Sequence, residues 1–209
     1  TIEIDNIKVA DTIEGTLKFA GIQLSIADEI NLKFLVNRTN FDKAGYLMPT
    51  VKATFGNKTY DIQASTASVG GVSYYAFVFK NIPPHMMKDT ISATLSATYN
   101  GEIVQGTVVE TSVAKYAYNQ LESTTNAKLR TLLVDMLRYG GKAQLYMKHN
   151  ITDLVDSDLN ATQASWGTQT LRELVSTASS PDFDGDATWL GTSLNLENKV
   201  KIQGFLSVA

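Results

Sequence analysis

A change of hydrophobic period near Ser112 constrains this chain of 209 residues more than any other feature. Before it, apolar residues alternate with polar ones, as on a half-buried strand. In "INLKFLVNR" (30–38), Ile30, Leu32, Phe34 and Val36 fall on one face. In "GVSYYAFVFKN" (71–81), Tyr75, Phe77 and Phe79 share one face and Tyr74, Ala76 and Val78 the other. Turn signals punctuate these runs. "TVKATF" and "KTYDIQA" flank Gly56-Asn57, and "TISATLSATY" and "EIVQGTVVET" flank Asn100-Gly101, so each pair reads as a β-hairpin. Pro83-Pro84 must lie outside a central strand, because neither residue can donate to a ladder.

After Ser112 the period lengthens to that of a helix. Ser112 is suited to capping, and Val113, Tyr116, Ala117 and Leu121 follow at helical spacing. A second stripe comprises Leu129, Leu132, Leu133, Met136, Leu137, Gly140, Ala143 and Met147. Gly140 and Gly141 each cost roughly 1 kcal/mol relative to Ala in a helix, which predicts close approach of another backbone there. The expected fold class is α+β: an antiparallel β-sandwich, Ig-like or jelly-roll-like, followed by a helical hairpin, a polar loop and a final strand. The expected division is a sandwich over 1–111, a helical hairpin over 112–149, a polar segment over 150–188 and strand pattern again over 189–209.

That last segment repeats the first. "LGTSLNLENKVKIQGFL" (190–206) aligns without a gap on "AGIQLSIADEINLKFLV" (20–36) at an offset of 170, with Gly191 on Gly21, Leu194 on Leu24, Val200 on Ile30 and Ile202 on Leu32. Two readings stand: the tail opens a second module, or it completes the sheet of the first. Either way, Leu194, Leu196, Val200 and Ile202 are expected to be buried.

Composition excludes several classes. With no cysteine there is neither disulfide nor thiol chemistry. Lys and Arg are scattered at a net charge of −3, which gives no footprint for nucleic acid. No run approaches the ~18 apolar residues of a membrane span. The first residue is Thr1, which leads to the expectation of a mature or excised piece.

The chain resembles the repeat modules of large secreted or cell-surface proteins of anaerobic, gut-type Gram-positive bacteria. The resemblance rests on "MKDTISATL" (87–95), "SVAKYA" (112–117) and "LLVDMLRYGGKAQLY" (132–146), and on the module opening at 21–34. It spans about 20–208 and is most specific over 87–146; the altered copy of the opening at 191–205 weakens where Gly204 replaces Phe34. It implies a non-catalytic part of a secreted or surface protein, found beside dockerins and carbohydrate-binding modules, with polysaccharide and neighbouring modules of the same chain as partners. A spacer or adhesion repeat without a small ligand is the alternative, and a glycan-acting hydrolase has the least support.

Individual motifs sharpen this only in part. Ser112-x-x-Lys115 matches the S-x-x-K of penicillin-binding enzymes, but the S-D-N and K-T-G elements are missing, so a helix start is the plainer reading. His85 and His149 have no neighbours at ligand spacing. Asp182, Asp184 and Asp186 alternate on a Gly-containing turn and are a candidate calcium loop, with Asp153, Asp156 and Asp158 as a second acidic group; the EF-hand pattern fails, with Ser193 where a Glu would stand, so a solvated turn is the plainer reading. No other cofactor is expected. Trp166, Trp189 and Tyr74 are candidate platforms for a sugar ring; the plainer reading of the two tryptophans is that they pin the polar segment to the domain. The sequons at Asn37, Asn57, Asn150 and Asn160 mark exposed polar turns.

Overall fold

The computed structural model describes residues 17–26, 29–168, 187–195 and 201–208. The chain divides into two units, 1–168 and 169–209. The first is an α+β sandwich. Its strands are β1 (Gly21–Ile26), β2 (Ile30–Asn37), β3 (Leu47–Phe55), β4 (Lys58–Ile62), β5 (Ala64–Val69), β6 (Val72–Phe79), β7 (Ile91–Tyr99) and β8 (Glu102–Thr111). They form two four-stranded sheets, β1-β2-β6-β5 and β4-β3-β7-β8, antiparallel throughout.

The turns follow the chemistry that the sequence supplies. Asn100 and Gly101 both have positive φ, as a two-residue turn between right-twisted strands requires. At the β3–β4 turn Gly56 alone takes positive φ, matching a glycine at the first central position. A third tight turn, Gly70-Gly71, joins β5 to β6. β5 is "ASTASV", a strand with no apolar alternation, and only its pairing to β6 reveals it. Gln63 alone separates β4 from β5, so the chain passes from one sheet to the other within a single residue.

The core lies between the sheets. Leu32, Phe34, Val36 and Phe77 come from one sheet, and Val51, Ala53, Ile91 and Leu95 from the other. Burying a side chain of this size is worth about 1.5–3 kcal/mol. Of the helices, α1 (Arg38–Lys43) packs against β2 and β6, and α3 (Ala127–Met147) packs against α2 (Val113–Ser123), the short α4 (Ala161–Ser165) and a 3-10 turn at Pro84–Met86 that holds Pro83-Pro84 outside the strands. Ser112 caps α2 by accepting from the Lys115 amide at 3.0 Å, and the Lys115 ammonium donates to the Glu110 carbonyl. Both members of the S-x-x-K match therefore have structural partners. No described helix is long and apolar enough to cross a membrane.

The stripe on α3 is real, but its phase differs from the expectation. Leu133, Met136, Leu137 and Gly140 are buried, whereas Leu132 and Met147 are exposed. Val134, Gly141 and Gln144 take up the remaining buried positions. A Cβ on Gly140 would stand 2.7 Å from Val155 Cγ1 and 3.2 Å from the Pro84 carbonyl oxygen. The close approach is thus to the 3-10 turn and to the segment after α3.

In the second unit, β9 (Ala187–Asn195) and β10 (Lys201–Val208) pair antiparallel as a two-stranded sheet. Residues 196–200 and the side chains of both strands lie outside the described residues, so the burial expected for Leu194, Leu196, Val200 and Ile202 is not addressed there.

Candidate functional site

At the β4–β5 corner the two sheets part into an open cleft of about 1010 Å³. The β3–β4 turn, β4, the Gln63 crossing and the first residues of β5 form one wall, and the end of β6 with the loop through Pro83 to Met86 forms the other. Its floor is aromatic. Phe79 meets Phe55 edge-on at 5.5 Å and Tyr60 edge-on at 5.2 Å between ring centroids. Phe55 and Phe79 belong to the core, whereas Tyr60 is 40% exposed. The register explains the arrangement. β4 is an edge strand, and Tyr60 pairs with the buried Ala53 and so shares its face, but at the sheet margin nothing covers it fully.

Polar groups surround this floor. Asn57, Asp61, Gln63, Ser65 and Asn81 line the cleft together with Lys58 and Lys80. Asp61 lies 3.9 Å from Lys52, and Ser65 donates to the Ala76 carbonyl at 3.0 Å. Asn81 sits at φ 58, its backbone amide donating to Asn31 and its side-chain amide to the Glu29 carboxylate. Lys58 and Lys80 have no ion-pair partner among the described residues. The cleft therefore offers one partly exposed aromatic ring, several uncharged hydrogen-bonding groups, the Asp61 carboxylate beside Lys52, and two cations without an ion-pair partner among the described residues. That combination suits a polyhydroxylated ligand, apolar on one ring face and polar at its rim.

The residues singled out from the sequence lie elsewhere. Trp166 ends α4, with the Arg130 guanidinium 4.3 Å from its ring centre and its carbonyl accepting from Thr131, which matches a pinning role. Tyr74, on β6, is half-buried and pairs with Asn37 and Ala67. Neither lines the cleft. Trp189 lies on β9, where side chains are outside the described residues, and Asp182, Asp184 and Asp186 fall wholly outside them. Among the described residues no three metal-ligating side chains cluster.

The second acidic group has a different role. Lys88 bonds to both Asp153 and Asp158, the latter at 3.1 Å. Burial works against a charge on Lys88, and the two carboxylates more than offset it, so its pKa lies above the ordinary lysine value. Tyr118 donates to the Val155 carbonyl at 2.8 Å, and burial, with Asp158 and Asp156 nearby, pushes its phenol up. Gln144, fully buried, accepts from the Val155 amide and donates to the Asp153 carbonyl. These bonds tie the stretch after α3 to the helices. His85 and His149, 64 positions apart, meet edge-on at 5.2 Å, with Asp89 3.0 Å from His149 Nε2. Burial, and then His149, lowers the His85 pKa against the opposing pull of Asp89.

Sequence reasoning missed the cleft because its aromatic members read as ordinary strand residues. The one available signal was the exposed edge implied by the polar run "KTYDIQAS" around Tyr60. Comparison with known proteins supplies no template: no family model, no curated protein and no solved structure matches the chain.

Proposed function

We propose that this domain is a non-catalytic, glycan-binding module of a secreted or cell-surface bacterial protein, and that the β4–β5 cleft is its binding site. One observation carries the reading: a half-exposed Tyr60 ring stands over a buried aromatic floor, among Asn57, Gln63 and Asn81, in an open cleft rather than on a flat face. Sugar rings dock their C–H face on such an aromatic and spend their hydroxyls on amide side chains. An open cleft takes a chain from its side, which suits a polysaccharide. Lys58 and Lys80 favour sugars that carry carboxylate or sulfate groups, and that attraction is weakened by salt. The resemblance to surface-protein repeat modules supports the same setting.

Affinity electrophoresis against neutral and uronic-acid polysaccharides tests this. Retardation by an acidic polysaccharide, lost in Tyr60→Ala and weakened by added salt, is the expected result. No retardation on any of them leaves the spacer reading, which the repeated hairpin favours independently.

A further inference from the structure

The repeat seen in the sequence is also a repeat of pairing. In the head hairpin Leu24 pairs with Leu32, Ser25 with Asn31, Ile22 with Phe34 and Gly21 with Leu35. Adding 170 to each number gives Leu194 with Ile202, Asn195 with Lys201, Thr192 with Gly204 and Gly191 with Phe205, and these are the pairs formed in the tail. A one-residue slip would have turned every side chain to the opposite face, so the register shared up to Phe205, where the tail alone shifts by one residue before Leu206, is a specific likeness. In the head, the other edge of β2 bonds to β6 from Leu32 to Asn37. The equivalent stretch of β10, 202–207, has no further strand beside it among the described residues. An isolated two-stranded hairpin is marginal in water, and an open edge is a template for pairing.

We infer that β9–β10 is a structural duplicate of β1–β2, and that the outer edge of β10 docks a β6-type strand of a second sandwich of this same fold. The β6 of an intact copy of this chain does not qualify. Phe34 is fully buried, packs 5.5 Å from Phe19 and pairs with Phe77. Its tail equivalent is Gly204, which brings no side chain to that place. A tail hairpin put in the head's position would leave the core open there, so it does not displace β1–β2. The sandwich that accepts the tail must fill the space opposite Gly204 from its own strands.

Position 204 is therefore the switch for self-recognition, and full-length variants test it. The wild type is expected to be monomeric by light scattering. Gly204→Phe restores the head pattern and should give a concentration-dependent dimer that disappears when 187–209 are removed. Phe34→Ala should lower the melting temperature by roughly 10 °C. Adding Gly204→Phe to it should recover about half of that loss, because the restored tail then displaces the weakened β1–β2 beside β6. If Phe34→Ala does not fold, Phe34→Leu replaces it. A Gly204→Phe protein that stays monomeric, with no recovery in the double variant, overturns the proposal. A wild-type dimer insensitive to position 204 also overturns it, since the tails would then be pairing with each other.

Discussion

The stretch Asn150–Asp158 and the strand β4 carry similar polar sequences, yet the structure treats them in opposite ways. The first is held to α2, α3 and the 3-10 region by Gln144, Tyr118 and Lys88, with Val155 fully buried against Gly140. The second runs along an open edge, exposed at four of its five residues, with Tyr60 only partly covered. Every buried side-chain nitrogen and oxygen among the described residues has a hydrogen-bond partner, and Gln144 shows what that demands on the helical side. The difference separates stability from binding. A polar side chain that is enclosed and fully bonded specifies structure, whereas the same chemistry left open at a sheet margin is free to meet a ligand.

Substitutions on the helical side should be costly. Leu133→Ala removes a buried side chain and should destabilise by about 2–5 kcal/mol, read from denaturant midpoints at an unchanged m-value. Gly140→Leu should lower the melting temperature despite the better helix propensity of leucine, because its Cβ meets Val155 and Met87; overpacking of this kind costs about 1–3 kcal/mol. A higher melting temperature would show that the glycine has no packing role. Gln144→Leu leaves the Val155 amide and the Asp153 carbonyl without their partner and should cost about 1–3 kcal/mol, with faster amide exchange over 150–158.

Acid should weaken the same side to a smaller extent. With the folded pKa of His85 below its ordinary value, the unfolded chain takes up that proton first. Stability from this group is complete above about pH 6.5 and is lost as the pH falls through the lowered value. A melting temperature that declines from about pH 7.5 to about pH 5, and declines less in His85→Gln, is the expected profile.

The same contrast explains what could be read in the sequence. Asn100-Gly101, Gly56-Asn57 and the alternation around Phe34 each state a local rule, and each rule holds in the structure. The α3 stripe was legible as a helix but not in its phase. Leu132 and Val134 are equally apolar, and only the neighbours packed against the helix decide which is buried. Gln144 was not legible, since a glutamine at a core position announces itself only through the bonds it makes. β5 was hidden because Ala, Ser and Thr carry no period. The cleft brings together residues from Phe55 to Met86 across two sheets, and the His85–His149 contact joins distant positions; both depend on topology rather than on spacing.

The most direct measurement is a paired one on Tyr60→Ala: its melting temperature, and its retardation by the polysaccharide that best retards the wild type. The account predicts a melting temperature lowered by only a few degrees, since losing the edge-on contact with Phe79 costs about 0.5–1.5 kcal/mol, together with loss of retardation. Undiminished retardation, or a melting temperature that falls as far as that of Leu133→Ala, would contradict it.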